Sequence, residues 1–432
     1  MPRSARIFSS LVLVSAGLLV GAWMVAPEQQ VRMVGKVIDS LIVPIAAQAE
    51  TKAPEFSPIK ALKEHEAYYP GTEDIAPDEM RITACGTGMP SARPKQAAAC
   101  FLVELGNGDK FIFDIGSGSA ERLSALAIPY DYLDKVFIGH LHSDHFGDLG
   151  DLWVGGVLSN RQVPLRVWGP SSTKKEWGTA YALEHMEKML AWDAASRLGN
   201  VNTKGQQLEV TEFDYKGVNQ VIYDENGVVI RTIPAIHALD GPVSFILDWN
   251  GLKFAFSSDT YPNKWWIEHT KEADISIHES FLPPSLLVTK QKFPVEDALN
   301  VGTQVHTEPS MFGKVMSLTK PRMAVAYHFY NDFDTAPIVE QQIRKTYDGP
   351  LSLAVDYMVW NVTKDKIRTR MAVINHEAWP LPSTTPKLPA DPKDRVGFTK
   401  FLLDGREVFV DVVQAIYDET NKQFGTDVPA PK

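Results

Sequence analysis

The stretch Lys135 to His145, which reads KVFIGHLHSDH, decides the fold of this protein. Its apolar first half has the β-branched and aromatic character of a buried strand. Four metal-binding side chains then follow within six residues, namely His140, His142, Asp144 and His145. Neutral imidazole and carboxylate are ligands that Zn²⁺ and related divalent ions prefer. One short loop cannot wrap all four side chains around one ion without strain, so the pattern predicts two neighbouring ions.

Three further residues of ligand type stand where later strands are predicted to end. His237, Asp259 and His328 each follow an apolar run with the character of a strand. Residues that bind or catalyse are commonly carried at such positions by a rigid scaffold. Each residue alone is more often structural, but the three together, after the 140–145 loop, favour completion of the same site.

The ordered set His140-x-His142-x-Asp144-His145, His237, Asp259 and His328 resembles the ligand motifs of the metallo-β-lactamase fold. The resemblance covers roughly residues 80 to 375 and implies an α+β fold, a four-layer αββα sandwich with the metals at one edge. It implies that one metal is bound by His140, His142 and His237. It implies that the other is bound by Asp144, His145 and His328, with Asp259 bridging both. Two Zn²⁺ are expected, with Mn²⁺ or Fe²⁺ as alternatives.

Shorter motifs narrow the resemblance to the ribonuclease Z and arylsulfatase-like branch. They are Gly86-Thr87-Gly88-Met89-Pro90, Ser258-Asp259-Thr260, Ile277-His278-Glu279-Ser280, and His306 placed 22 residues before His328. Ribonuclease Z proper carries a long tRNA-gripping arm, typically between the third ligand motif and the bridging aspartate. Here only 22 residues separate His237 from Asp259, which is the length of a β-hairpin. The segment from Asp356 to Thr363 is similar to the periplasmic guanitoxin-biosynthesis-type metallohydrolases.

The resemblance implies hydrolysis of a small phosphodiester or sulfate ester, with hydroxide between the two metals as the nucleophile. Catalytic roles are assigned to His306 as general acid, to Asp144, and to Glu279, which with His278 is a candidate to orient His306 or a ligand. His185 and Trp265 are candidate substrate contacts. Two alternatives stay open: a lactonase or β-lactamase-like hydrolase of cyclic amides or esters, and an iron-dependent oxidoreductase or non-catalytic metal-binding protein on the same fold.

The N-terminus indicates export. Arg3 and Arg6 precede an uncharged stretch over residues 7–26, which is typical of a signal peptide or signal anchor. Ala47-Gln48-Ala49 resembles a cleavage site, although it lies unusually far from the apolar run. Residues 1–49 are therefore interpreted as a signal peptide or an anchor, and the protein is expected to be periplasmic or secreted. Contact with a membrane is expected only through an uncleaved anchor formed by residues 7–26.

Charge and cysteine content set further bounds. The formal net charge is −10, which disfavours nucleic acid as a partner and leaves a small-molecule substrate as the expectation. The two cysteines, Cys85 and Cys100, lie on the first two predicted strands of the body. In an exported protein they are candidates for a disulfide, and two buried thiols are the equal alternative.

The remaining segments divide as follows. Residues 50–78 are predicted to be an extended lead-in, and residues 79–376 a hydrolase domain with a helical insert at about 172–198. Residues 377–432 are predicted to contain a Pro-rich linker and a C-terminal amphipathic helix. Because its apolar residues recur on one face, this helix is expected to pack on the body through Phe409, Val412, Val413, Ile416 and Tyr417.

Overall fold

A computed structural model describes residues 67–91, 93–377, 379 and 388–431. The predicted signal segment 1–49 and the first part of the lead-in, residues 50–66, lie outside the described residues, so both stay predictions. Within the described part of the chain, no helix is both long enough and apolar enough to span a bilayer.

The strands of the described residues form two sheets. In chain order they are β1 (Ala67–Tyr68), β2 (Met80–Gly86), β3 (Cys100–Leu105), β4 (Lys110–Phe113), β5 (Lys135–Phe137), β6 (Leu165–Pro170), β7 (Leu208–Phe213), β8 (Gln220–Glu225), β9 (Val228–Pro234), β10 (Val243–Trp249), β11 (Leu252–Phe256), β12 (Ile275–Glu279), β13 (Met323–Tyr327), β14 (Leu351–Leu353), β15 (Met358–Val362) and β16 (Ile367–Ala372). The first sheet has the order β1-β16-β15-β2-β3-β4-β5-β6-β7, and the second has the order β14-β13-β12-β11-β10-β9-β8.

Helices cover the outer face of each sheet, and two further helices with no buried residue follow near the C-terminus. They are α1 (Ser119–Ser124), α2 (Ser143–Phe146), α3 (Leu149–Leu158), α4 (Thr179–Met189), α5 (Ala191–Arg197), α6 (Lys264–His269), α7 (Pro284–Gln291), α8 (Val295–Asn300), α9 (Pro309–Thr319), α10 (Ala336–Ile343), α11 (Lys400–Asp404) and α12 (Val410–Phe424). A 3₁₀ turn at Lys175–Trp177 precedes α4, and a π-helical turn at Val301–Val305 follows α8.

Alternation along the strands separates the layers. On β3, Phe101 and Val103 enter the core between the sheets, whereas Leu102 enters the core beneath the helices that flank the first sheet. On β13, Val325 faces the inter-sheet core and Ala324 faces the helices of the second sheet. Successive side chains of a strand point to opposite faces, so two-sided burial requires helices on both outer faces. The expected αββα sandwich is confirmed.

The ligand loops meet because their strands end at the same edge. β4 to β7 run parallel to one another, and so do β11 to β14. The carboxyl ends of parallel strands lie together, and the loops after β5, β11 and β13 leave from those ends. Gly139 lets two of these loops approach, because a Cβ atom there would lie 2.3 Å from the Cβ of Ser258.

Two helical regions contain short breaks. The region from Val295 to Leu318 is mostly helical but is divided into α8, the π-helical turn and α9, and His306 lies in an extended connection before Pro309. The insert likewise splits into α4 and α5.

The C-terminal helix α12 does form, but its apolar face does not pack on the body as expected. Phe409, Val412 and Ile416 are 66%, 52% and 56% exposed, Val413 and Tyr417 are half-buried, and no residue of α12 is fully buried. Helical periodicity shows that a helix has an apolar face, but it does not determine what covers that face.

Candidate metal centre

The first ligand cluster consists of His140, His142 and His237. Nε2 of His140 lies 3.0 Å from Nδ1 of His142, which lies 3.1 Å from Nε2 of His237. An imidazole nitrogen carries at most one proton, so protons satisfy three converging nitrogens less well than one cation does. Ligand atoms of one tetrahedral Zn²⁺ stand roughly 3.3 Å apart. The spacing therefore fits a single divalent ion.

The second ligand cluster consists of Asp144, His145 and His328. Nε2 of His328 lies 3.1 Å from Oδ2 of Asp144 and 3.4 Å from Nε2 of His145. All three residues are buried, at 4% exposure or less. Deep burial of an aspartate beside two imidazoles is costly unless a charge or hydrogen bonds compensate, and a cation at the meeting point of these atoms would do so.

Asp259 lies between the two clusters. Its Oδ2 is 3.7 Å from Nε2 of His237 and 3.3 Å from Nε2 of His328, and its Oδ1 is 3.3 Å from Nε2 of His145. Oδ1 is buried and has no aligned hydrogen-bond donor. An ionised carboxylate oxygen left in this state is expected to face a metal ion. The seven predicted ligands thus come together in the predicted grouping.

Residues behind the second cluster hold it in place. Nδ1 of His145 lies 2.7 Å from Oδ2 of Asp114, and the other Asp114 oxygen accepts a hydrogen bond from the backbone amide of Gly139 at 2.7 Å. The hydroxyl of Ser258 also donates to Asp114, at 2.9 Å, and lies 3.1 Å from Nδ1 of His140. A carboxylate on the far nitrogen of a ligand histidine directs its other nitrogen at the metal.

Four loop residues at the site have left-handed backbone conformations without being glycine. They are Asp114, Ala238, Ser258 and His328, with φ between 48° and 72°. Such conformations cost on the order of 1–3 kcal/mol each and cluster at functional sites. Here they turn the chain sharply at the strand ends, which lets the ligand loops converge.

Burial keeps two ligands of the first cluster neutral. It lowers the pKa of His140 well below its ordinary value, and it lowers the pKa of His237 to about 4, although the Asp259 carboxylate opposes both shifts. A histidine must be deprotonated to bind a metal. These two rings are therefore in the binding form at neutral pH without having to lose a proton.

Glu279 and His306 form a pair beside Asp259. Nδ1 of His306 lies 3.1 Å from both oxygens of Glu279. These oxygens also accept hydrogen bonds from the backbone amides of Thr260 and Thr307. Burial by itself would lower the pKa of His306, but the Glu279 carboxylate outweighs it and raises that pKa. The ring also stacks on Phe281, with centroids 4.0 Å apart. The pair therefore presents a firmly oriented imidazole next to the bridging ligand.

The structure separates the two candidates for orienting His306. Glu279 contacts it, whereas the His278 ring lies 4.8 Å from Trp266 and 5.9 Å from Phe312, and its Nδ1 lies 2.7 Å from the carbonyl oxygen of Glu279. Alternation along β12 explains the difference, since neighbouring residues of a strand face opposite sides.

Two cavities adjoin the first cluster. One, of about 320 Å³, is lined by His140, His142 and His237 and by residues before and on α4. The other, of about 440 Å³, shares His237 and is lined by Trp265, so this predicted substrate contact does stand near the centre. His185 lines neither cavity. It is exposed on α4 with its Nδ1 2.8 Å from the Tyr181 carbonyl, so its placement does not support a role in substrate binding.

Sequence reasoning did not assign Ser258 or the Val305 carbonyl to the site. Ser258 lies within the Ser258-Asp259-Thr260 motif, and its position next to Asp259 is the sequence feature from which a role at the site could have been predicted. The Val305 carbonyl lies 3.1 Å from Nδ1 of His237, and no sequence pattern announces a backbone contact of this kind.

Comparisons with known proteins agree with this geometry. A sequence model of the family described as anti-Pycsar protein Apyc1 matches residues 80–285. The ribonuclease Z of Mycobacterium marinum is 30% identical over 187 residues, which are 42% of this chain and 64% of that protein. The ribonuclease Z of Mycobacterium bovis is 29% identical over 205 residues, which are 46% of this chain and 69% of that protein.

The fold also matches a solved structure. The metallo-β-lactamase fold protein YhfI from Bacillus subtilis superposes with a TM-score of 0.50 at 16% identity, covering 66% of this chain and 100% of that one. This likeness shows that the chain has the metallo-β-lactamase fold. Within it, sequence similarity lies with proteins named ribonuclease Z, and the chain spans somewhat less than two thirds of the length of the first of these curated relatives.

Proposed function

We propose that this chain is an exported, binuclear zinc-dependent hydrolase of small phosphodiesters or sulfate esters. The observation that carries the proposal is the pair of ligand clusters that share Asp259, with the Glu279–His306 pair beside them. Two bound divalent ions would supply a nucleophile from water at neutral pH and would polarise the scissile group. Five imidazoles and two carboxylates are a donor set that suits zinc.

The residues of the chain would divide the remaining work. Glu279 holds a proton on Nδ1 of His306 and so fixes the orientation of the ring. This leaves Nε2 to donate a proton to the leaving oxygen. The stacked Phe281 ring covers one face of the imidazole and limits its contact with water. Asp114 orients His145, and the Val305 carbonyl orients His237 in the same way.

A small substrate fits better than tRNA. The chain between His237 and Asp259 forms a single hairpin of β10 and β11, which leaves no room for an arm at that place. The adjoining cavity of about 320 Å³ is of the size that small-ligand sites have. The relatives named ribonuclease Z cleave phosphodiester bonds, as their name states, and this supports phosphodiester chemistry with a different substrate size.

Export is supported by the cysteines as well as by the N-terminal sequence. Cys85 and Cys100 are joined by a disulfide between β2 and β3, so the open question of pairing resolves in favour of the bond. Structural disulfides persist in oxidising compartments. A fusion of residues 1–60 to a reporter that is active only outside the cytoplasm should give signal, and a well-expressed but silent fusion would refute export.

Metal analysis and a panel of chromogenic esters test the activity. Protein purified from zinc-supplemented cells should contain about two zinc ions per chain and should hydrolyse a nitrophenyl phosphodiester or sulfate ester. Chelation should abolish turnover, and added Zn²⁺ should restore it. Iron at the site would favour the oxidoreductase alternative. Zinc-loaded protein that opens lactones or β-lactams but cleaves no phosphorus or sulfur ester would overturn the proposed substrate class.

A further inference from the structure

The cavity of about 320 Å³ opens from the first ligand cluster and has mostly apolar walls. Beyond the metal ligands, its apolar lining includes Leu141, Phe146, Pro170, Trp177, Leu239 and Pro242. The Trp177 indole is 42% exposed although it is among the largest apolar groups of the chain. Because Trp177 both lines the cavity and stays partly exposed, its ring is available for contact with a ligand.

The charged side chains that line this cavity are of one sign. Glu176 and Asp240 line it, and none of the described residues that line it is lysine or arginine. Lys174 places its Nζ 4.1 Å from the centroid of the Trp177 ring, but it does not line the cavity. Apart from the metal ion that the first ligand cluster would hold, these two carboxylates have no cationic side chain beside them in the lining, so they would repel a second anionic group. The cavity therefore favours a group that is uncharged.

The proposed proton donor is not part of the cavity lining, although the His306 ring lies 4.7 Å from the ring of His237, which is. Neither His306 nor Glu279 lines the cavity, whereas His140, His142 and His237 do. A leaving oxygen must come within hydrogen-bond reach of the group that protonates it. A substituent seated in this cavity is consequently the one that stays on phosphorus.

We infer that the cavity between Trp177 and the first ligand cluster binds the retained, uncharged aromatic or other apolar substituent of a phosphodiester. This inference rests on the proposed function and narrows the proposed substrates to phosphodiesters. Hydrolysis forms one P–O bond from water and breaks the P–O bond to the leaving alcohol, so the product is a monoester that still carries the retained substituent. A sulfate monoester has no second organic group and would leave the cavity without a role.

The test uses diesters that share a 4-nitrophenolate leaving group and differ in the retained group: phenyl, methyl or 4-carboxyphenyl. With the metal-loaded full chain, Trp177→Ala should lower kcat/KM for the phenyl diester by about tenfold, a typical size for a lost aromatic contact. The methyl diester should be hardly affected. Glu176→Gln should improve the 4-carboxyphenyl diester several-fold relative to the phenyl diester, because it removes a like charge.

Trp192→Ala is the matched control, since Trp192 lies on α5, is 82% exposed and does not line the cavity. Calorimetry adds a readout without turnover: phenyl phosphate should bind the zinc-loaded protein about tenfold more tightly than methyl phosphate, and Trp177→Ala should remove the difference. Equal losses for phenyl and methyl substrates, or equal binding of both monoesters, would overturn the inference. If no diester is cleaved while the phenyl preference in binding persists, the proposed function fails and the cavity assignment stands.

Discussion

The two ligand clusters differ in how closed they are. The second cluster, Asp144, His145 and His328, is entirely buried, and Asp114 behind it fixes one of its rings. In the first cluster, His142 is exposed and the cavity begins at its ligands. Asp259 serves both clusters, so the difference does not come from the shared ligand.

This difference indicates a division of labour at one centre. A buried ligand set with a fixed outer partner keeps its geometry, which favours tight metal binding. An open set leaves space for a substrate atom to approach the ion. We therefore expect the second ion to be held more tightly and the first to be the one that substrate contacts. Substitutions at the shared ligand, at His306 and behind the second cluster would test this contrast.

The shared ligand should give the largest effect. Asp259→Ala should remove most of both metals and nearly all activity, because Asp259 is the one carboxylate that the two clusters share. His140→Ala should empty mainly the first site and Asp144→Asn mainly the second. Metal content per chain, measured by mass spectrometry after dialysis, checks all three variants.

The same experiment can contradict the assignment. Circular dichroism should show that each variant is folded, because the ligand loops lie at the sheet edge outside the apolar cores. A parent chain that binds one ion or none after reconstitution would refute the binuclear centre. Loss of both ions in Asp144→Asn and His140→Ala alike would show that the clusters do not act as separate sites.

His306 should give the next largest effect, on rate and not on metal. It stands between the clusters, with its ring 4.7 Å from that of His237 and 5.4 Å from that of His328. General acids contribute typically 10²–10⁴-fold, so His306→Ala should lose roughly that factor with a poor leaving group. With 4-nitrophenolate, which needs no proton, the loss should be much smaller.

Two outcomes would refute the general-acid role of His306. Equal losses for both leaving groups with unchanged metal would mean that the residue positions substrate. Loss of metal would place His306 in the coordination shell, which is geometrically open to it because it groups with His237, Asp259 and Glu279.

Asp114→Asn should weaken metal binding at the second cluster more than at the first. Replacing an outer partner of a ligand histidine typically costs 10–100-fold in metal affinity. Asparagine tolerates the left-handed backbone at this position, so the fold should persist. Competition with a chromophoric chelator should show weaker binding of the second ion and a smaller change for the first. An equal loss at both sites would mean that Asp114 acts through Ser258, which it also contacts, and not through His145.

The sequence was most informative where chemistry and strand ends coincide. All seven predicted ligands come together because each follows an apolar strand, and strand direction alone brings those ends to one edge. The hairpin between His237 and Asp259 was predictable from its length and from the Asn250-Gly251 turn. The layers followed from the resemblance and are confirmed by side-chain alternation.

Other features depend on tertiary contacts that no local pattern encodes. The orientation of α4 places His185 in solvent, whereas Trp177, in the turn before this helix, lines the cavity. The break at His306 follows from the connection before Pro309, which a scan for helical periodicity passes over. The apolar face of α12 was real, but periodicity could not show that it is exposed.

The disulfide should give the smallest effect on the site and a clear one on stability. Cys85 and Cys100 close a loop with a sequence separation of 15, for which the expected contribution to the free energy of unfolding is about 3 kcal/mol. The carbonyl oxygen of Thr87, two residues after Cys85, accepts a hydrogen bond from the backbone amide of His328 at 3.0 Å. The disulfide therefore lies near the second cluster. Cys85→Ala with Cys100→Ala should therefore lower the denaturation midpoint while changing kcat/KM no more than a few-fold at low temperature.

Any residual effect of this double variant on metal binding should fall on the second ion. Chelator competition on the folded variant checks this, and thiol titration of the denatured parent, made in an oxidising compartment, should find no free thiol. Two titratable thiols in the parent would refute the disulfide. Thr87 contacts His328 of the second cluster and none of the ligands of the first cluster. If the double variant binds the ion of the first cluster more weakly and the ion of the second cluster as tightly as before, the strands behind the second cluster do not hold that cluster in place.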